Sequence, residues 1–346
     1  MRRVLGPLVL ALALPAVGAT PTWAGTANGG LPGAPAGNPL AGMTWGLTRA
    51  DIHNPAKGDP PSAYYNSSRG RDRRALGFLV GHPRFQWFGS WIATHRARAV
   101  ARNYIRSITH GNSRVGVGIT IFRLEPFEGK ACRVRPSRGQ IADYKRWIRN
   151  FAKGIGKSRV ALVLQPDMPF ALCLPGHSPI DLQLVSFSAR VFNALPHTTV
   201  YIDAGGSDYL SVGRAASMLA RAGVRGVRGF ALNMTHVAST PDQVRYGRKL
   251  VAALAHRGIK DRHFVVNTAA NGHPYAVAHH RGAFRAGKTC ATKRSHVCIS
   301  LGHPFTTDTG AAAGDAFVWA GRSWLNGSRR RTKGDTLRLI RSSPFF

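Results

Sequence analysis

The chain of 346 residues is 44% apolar, enough to bury a sizeable core, which excludes a mainly disordered polypeptide. Its 48 Lys and Arg face only 15 Asp and Glu, a formal net charge of +33, so a site built on paired carboxylates has few residues to draw on. The same excess calls for anionic surroundings such as an envelope polymer, a nucleic acid or an acidic polysaccharide, because like charge repels itself in a compact fold.

In chain order, Met1-Arg2-Arg3 precedes an apolar run from Val4 to Ala19, with small residues at Val17-Gly18-Ala19 and Thr22-Trp23-Ala24. Pro7 and Pro15 interrupt the run, which falls short of the roughly 20 apolar residues of a membrane span. Residues 1–24 therefore read as a secretory signal, which predicts an exported, extracellular protein. Residues 25–42, rich in Gly, Pro and Ala, form a leader unable to bury a core, with the fold beginning near Asn38 at its end, and residues 43–346 form one domain.

Within that domain short β-branched runs alternate with segments of helical period. Phe85 to Phe88 is an early strand. Strand Val115 to Phe122 precedes helix Ile141 to Ile155, and strand Arg159 to Leu164 precedes helix Ile180 to Leu195. Strand Thr199 to Asp203 precedes helix Tyr209 to Ala222, and strand Gly229 to Asn233 precedes helix Pro241 to His256. Strands His263 to Thr268 and Asp315 to Trp319 close the series. Strands repeating at roughly 30 to 45 residues with helices between them indicate parallel βαβ units. Such units close into a barrel or stay open as a doubly wound sheet, and in both the chemistry gathers at the carboxyl ends of the strands.

Those ends carry Glu125 and Glu128, then Gln165-Pro166-Asp167, Asp203-Ala204-Gly205, Asn233-Met234-Thr235, Asn267-Thr268 with Asn271-Gly272, and Trp319. Carboxylates move protons, amides hold hydroxyls as donor and acceptor, and an indole offers a flat face to a sugar ring. A polyol substrate suits this set. Polar residues also terminate strands for ordinary turn reasons, but the pattern recurs from one strand end to the next. No G-x-G-x-x-G or G-x-x-x-x-G-K-S loop is present, so no nucleotide cofactor is expected, and the absence of G-x-S-x-G argues against an esterase.

Export permits disulfides, and Cys132, Cys173, Cys290 and Cys298 allow three pairings, of which Cys132–Cys173 with Cys290–Cys298 closes the shortest loops. No C-x-x-C or H-x-x-x-H spacing supports a zinc site, and no metal is expected.

Several strings taken together resemble glycoside hydrolase family 6, the inverting cellulases that include endoglucanases and cellobiohydrolases. They are Asn38-Pro39-Leu40-Ala41-Gly42, Asp143-Tyr144-Lys145-Arg146-Trp147-Ile148, Ala161 to Asp167 followed by Cys173-Leu174, and Val200-Tyr201-Ile202-Asp203-Ala204-Gly205. Ala222-Gly223-Val224, Gly229-Phe230-Ala231-Leu232-Asn233, Asn271-Gly272 and Asp315-Ala316-Phe317-Val318-Trp319 continue the same order and spacing. The resemblance implies an α/β fold, a distorted parallel barrel of about seven strands with a substrate cleft across the strand ends and no cofactor. It implies cleavage of β-1,4-glucan linkages and a polysaccharide partner.

Carried over by position, Gln165-Pro166-Asp167 stands at the family's Glu-Pro-Asp, which makes Asp167 the general acid. That task requires partial burial or a nearby negative charge to keep the carboxyl protonated, and Asp203, at another acidic position of the family, can supply such a charge. Trp319, Trp324, Asn233, Asn271 and Asn326 are the implied substrate contacts. Cys132 and Cys173 fall where one family disulfide is expected, whereas Cys290 and Cys298 do not match the second pair. The family's Arg-Asp-Cys is Lys130-Ala131-Cys132 here, and the final Lys-x-Pro-Gly-Glu-x-Asp-Gly is replaced by Gly321 to Gly327, with Asn326 at the base and Trp324 at the preceding Glu. Asp-Thr-Ser-Arg-Asn-Gly becomes Asn267-Thr268-Ala269-Ala270-Asn271-Gly272.

An amide cannot take a proton from water, and inversion needs a second carboxylate roughly 6.5–9.5 Å from the acid. Glu128, three residues before the lost aspartate at Ala131, is the preferred substitute. Glu125 and Asp315 are the other candidates, with Asp315 expected to be structural. The alternative to an enzyme is a glycan-binding protein on the same scaffold, favoured by the loss of two carboxylates. Nucleic acid is not an expected partner. Arg69-Gly70-Arg71-Asp72-Arg73-Arg74 and Arg329-Arg330-Arg331-Thr332-Lys333 lack the interleaved aromatics of single-strand binders and read as solvated faces or contacts with an anionic cell envelope. A monomer is expected.

Overall fold

The computed structural model describes residues 37–49, 59–124, 130, 132–275, 289–295, 297–325 and 332–346. The predicted signal, residues 25–36 of the leader, Glu125, Glu128, Ala131 and Asn326 lie outside the described residues.

The strands are β1 (Thr44–Trp45), β2 (Gln86–Gly89), β3 (Val115–Phe122), β4 (Arg159–Leu164), β5 (Thr198–Asp203), β6 (Gly229–Leu232), β7 (His263–Asn267) and β8 (Gly314–Val318). All pair in parallel in the order β1-β3-β4-β5-β6-β7-β8, with β2 also on β3. Because β4 occupies one edge of β3, β1 and β2 share the other: Thr44 and Trp45 lie beside Val115 and Gly116, and Gln86–Gly89 beside Ile119–Phe122. The far edges then meet, since Phe85 N donates to Trp319 O at 2.9 Å in a parallel bridge. The result is a distorted parallel α/β barrel of seven positions, one shared by β1 and β2 and one each for β3 to β8.

Side-chain alternation divides the burial into two cores. Outward residues such as Ile119, Ile121, Leu162, Leu164, Val200, Ile202, Phe230 and Phe264 meet the surrounding helices. Inward residues are small at Ala161, Ala231 and Ala316, and the lumen is filled by Trp45, Phe85, Trp87 and Tyr201. The glycines of β3 make room for this: a Cβ on Gly118 would lie 2.2 Å from the Phe85 ring. Tyr201 donates to Asp315 at 2.6 Å, and Arg228 grips the same carboxylate at 2.8 and 2.9 Å, so Asp315 ties the amino-terminal end of the barrel, away from the strand ends that carry the chemistry.

The helices are α1 (Pro60–Asn66), α2 (Gly70–Val80), α3 (Ala97–Thr109), α4 (Arg138–Ile155), α5 (Ile180–Asn193), α6 (Val212–Arg221), α7 (Thr240–His256) and α8 (Lys333–Arg341). Local sequence sets their limits. Ser137 and Gln140 form a capping box at the start of α4, while Ser211 and Ser239 cap α6 and α7. Tyr144, Trp147, Ile148, Phe151 and Ile155 recur at helical spacing and bury one face of α4. Among the described residues no helix is long and apolar enough to cross a membrane.

The strands expected from the sequence recur within a residue or so of their expected limits. Helices α1, α2, α3 and α8 and the two-residue β1 come in addition. Packing begins within the stretch assigned by composition to the leader: Leu40 is buried and Asn38 donates to Asp315 O at 2.7 Å, because a side-chain amide and one leucine suffice to anchor an otherwise featureless segment. Disulfides join Cys132 to Cys173 and Cys290 to Cys298.

Candidate active site

Four of the expected residues follow consecutive strands. After β4 the chain turns through Gln165 and Asp167, both left-handed at φ 56° and 61°, and after β6 through Asn233 at φ 65°. Non-glycine residues reach this region at a cost of about 1 kcal/mol or more, so the surrounding contacts must hold them there. Gln165 supplies some of these contacts: it is fully buried, and its Oε1 accepts from the backbone of Arg123 and Leu124 at 3.1 and 3.2 Å, pinning the end of β3 to β4.

Asp167 opens a short 3-10 turn, Met168–Cys173, and remains partly accessible. Thr235 donates its hydroxyl to Asp167 Oδ1 at 2.5 Å. Asp203 ends β5 and is buried; its Oδ2 accepts from Gly205 N at 3.2 Å, while Oδ1 has no hydrogen-bond partner among the described residues. Burial first, then the charge of Asp167, push the Asp203 carboxyl up to about 8, so it holds a proton at neutral pH. The loops bearing the two acids touch: a Cβ on Gly205 would stand 3.0 Å from the Pro169 ring.

A third carboxylate, Asp208, stands in the same loop as Asp203. Its Oδ2 accepts from His236 Nδ1 at 2.8 Å and from the Tyr275 hydroxyl. Burial alone would raise Asp208, but these two donors hold it below the usual carboxylate range. Burial likewise opposes the charge on His236, and the bond to Asp208 with the neighbouring Asp203 and Asp167 overcomes it, raising the imidazole. Tyr209, half exposed, lies edge-on to His236 with ring centroids 5.8 Å apart. Thr235 stands in the strand-end string Asn233-Met234-Thr235, whereas Asp208, His236 and Tyr275 were not singled out from the sequence. Each lies a few residues beyond a strand end, and only a search of whole loops could have found them.

The expected amides are present but inward. Asn233 donates to Ala238 O and Asn267 O at 3.3 and 3.0 Å and accepts from Gln243 at 3.1 Å. Asn267 accepts from the backbone of Ala320 and Gly321 at 3.0 and 2.8 Å, joining the loops after β7 and β8. Asn271 donates to Ala238 O and Thr240 at 3.1 and 3.0 Å. The indoles are inward too. Trp319 is fully buried, donates to His303 O at 3.0 Å and packs edge-on to Phe78. Trp324 is buried in the same cluster with the Arg84 guanidinium 5.5 Å above its ring. These residues therefore fix the loops around Asp167 and Asp203 from beneath and expose no face to a ligand. Tyr209 and Trp91 are exposed aromatics among the described residues, the latter 5.9 Å from an Arg322 guanidinium that lies 4.2 Å over Trp87.

Chemically, the arrangement offers an accessible carboxyl whose neighbour is a buried acid, with a histidine and a third carboxylate alongside. Known proteins share the scaffold. The endoglucanase Cel6 of Mycobacterium tuberculosis, solved with a thio-linked cellobiosyl cellobioside, superposes with a TM-score of 0.69 at 22% identity over 87% of this chain and 98% of that one. Cellobiohydrolase II of Humicola insolens, solved with glucose and cellotetraose, gives 0.62 at 20% identity over 82% and 86%. In sequence, Endoglucanase 1 of Streptomyces halstedii is 28% identical over 60% of this chain and Endoglucanase A of Cellulomonas fimi 27% over 62%. The matches span 64% and 46% of those two relatives, less than two thirds of either. The sequence pattern of the Glycosyl hydrolases family 6 matches residues 55–323, and with a match of that extent the chain belongs to this family.

Proposed function

We propose that the protein is an exported glycoside hydrolase that cleaves β-1,4-glucan linkages with inversion, with Asp167 as general acid. The observation that carries this reading is the pairing of accessible Asp167 with buried, protonated Asp203 at adjacent strand ends. Thr235 donates to one oxygen of Asp167 and so fixes the orientation of the carboxyl that is to protonate the glycosidic oxygen. As that oxygen takes the proton, the bond to the anomeric carbon breaks and its electron pair stays with the leaving sugar. Water adds from the opposite face and passes a proton to a base, for which Glu128 is proposed. The exposed ring of Tyr209 gives a sugar a flat surface beside the acid. The relatives support the substrate class by what they are named for: endoglucanases in sequence, and enzymes solved with cello-oligosaccharides or their thio analogue in structure. The signal-like first 24 residues and the disulfides support export, and the charge of +33 supports association with an anionic envelope by a protein acting as a monomer.

The test is reducing-sugar release from a soluble β-glucan, with the anomer of the first product read by NMR. Wild type is expected to release the α anomer and Asp167→Asn to lose activity by about a thousandfold or more. Activity retained in Asp167→Asn rejects the assignment, and unchanged hydrolysis in Glu128→Gln removes Glu128 as base. A second reading, a glycan-binding protein without turnover, is favoured by Ala131 and Asn326 standing where the resemblance places aspartates. Measurable cello-oligosaccharide binding by wild type with no product decides for it.

A further inference from the structure

The Asp208–His236–Tyr275 cluster has no part in the chemistry above, yet it is built into the same pocket. His236 and Tyr275 donate to a single oxygen of Asp208, so that carboxylate cannot turn away from either. The backbone reinforces the clamp: Ser239 N donates to Tyr275 O at 3.2 Å, tying the loop after β7 to the loop that carries His236. Gly206 lets the imidazole lie directly on the turn after Asp203, since a Cβ there would be 3.3 Å from His236 Cγ and 2.5 Å from Asp208 Oδ1. Thr235, the residue before His236, is hydrogen-bonded to Asp167. One short segment thus holds the acid with one residue and carries an imidazole with the next.

We propose that His236, clamped by Asp208 and Tyr275, is a positioning residue that keeps a positive charge beside Asp167 and Asp203 and stabilises the carboxylate that Asp167 becomes on giving up its proton. This rests on Asp167 being the acid. The physical need is plain. Asp203 is protonated but Asp208 is ionised, so the carboxylate that Asp167 becomes on losing its proton stands near a second negative charge, and that repulsion opposes the release. The charges acting on Asp203 are Asp167, which raises it, and His236, which lowers it. The groups facing His236 are Asp208 and Tyr209 from the loop after β5, Asp203 from its end, Asp167 from the loop after β4, and Tyr275 through Asp208. Tyr246 on α7 is held neutral by its burial first and then by Asp203 and Asp208. In the step itself a proton passes from Asp167 to the glycosidic oxygen, the C–O electron pair goes with the leaving sugar, and His236 retains its own proton throughout.

Two measurements test this. The first follows the His236 imidazole by NMR pH titration in the substrate-free protein. Its midpoint is expected to fall in both Asp208→Asn and Asp167→Asn, and a midpoint unmoved in Asp167→Asn overturns the proposal whether or not the protein turns over. The second is the pH profile on soluble β-glucan. His236→Gln is expected to lower kcat about tenfold with little change in KM and to move the alkaline limb to higher pH, because the acid then keeps its proton longer; His236→Lys restores part of the rate. An unchanged kcat in His236→Gln overturns the proposal. If wild type has no activity, the hydrolase reading falls by itself and the titration still decides whether His236 acts on Asp167.

Discussion

Asp203 illustrates how a site residue burdens the fold. Its folded carboxyl titrates at about 8, against about 3.9 in the unfolded chain. A raised acid favours folding fully below the unfolded value, and that contribution is lost as pH rises through the folded one. Wild type is therefore expected to lose stability relative to Asp203→Asn between about pH 4 and pH 8, with no further divergence above that. Urea unfolding of both proteins at several pH values checks this, and parallel curves would show that Asp203 is not a buried neutral acid. At this scale Asp167 and Asp203 were legible in the sequence because each directly follows a β-branched run. Asp208, His236 and Tyr275 were not, because they come from three separate loops and meet only through the fold. Conversely, Trp319 and Asn233 were legible as strand-end residues, but nothing in the sequence separates an indole or amide that faces a ligand from one that supports a loop.

Among the elements, β3 is the clearest case of sequence dictating packing. In Val115-Gly116-Val117-Gly118-Ile119-Thr120-Ile121-Phe122, Val115, Val117, Ile119 and Ile121 face outward, and the two glycines lie on the other face with Thr120 and Phe122, where the lumen aromatics need space. Gly118→Ala is expected to cost about 1–3 kcal/mol in urea unfolding, because Phe85 lies in the way and its backbone is held to Trp319. A cost near zero would mean that the lumen yields. The same clarity explains which elements were legible. Buried parallel strands are continuous apolar runs, and the helices between them have long apolar faces. In α2 the apolar residues Ala75, Leu76, Leu79 and Val80 crowd into the second half behind a basic start, which reads as a charged surface run. There Asp72 pairs with Arg341 and Lys333 at 2.6 and 3.1 Å, a contact between distant parts of the chain that no local pattern announces. Strand β1, at two residues, is too short to leave a periodic signal.

For the molecule as a whole, the charge of +33 is not relieved internally, since Asp59, Asp72, Asp143, Asp242 and Asp315 are each already matched to arginines or lysines. The thermal midpoint is therefore expected to rise as salt increases from about 0.01 to 0.2 M, where the screening length shortens from about 30 Å to below 10 Å. A midpoint independent of salt would mean that the surface cations lie too far apart to repel. The contact between Phe85 and Trp319 carries a further consequence, for the order of events during synthesis. The two sides of that seam are separated by most of the chain, so a ribosome-bound polypeptide can build β3 to β7 yet cannot close the ring until its last strand arrives. Until then the free edges of the sheet remain open to other chains. Retaining the chain in an unfolded form until β8 has been made would therefore protect it against mispairing.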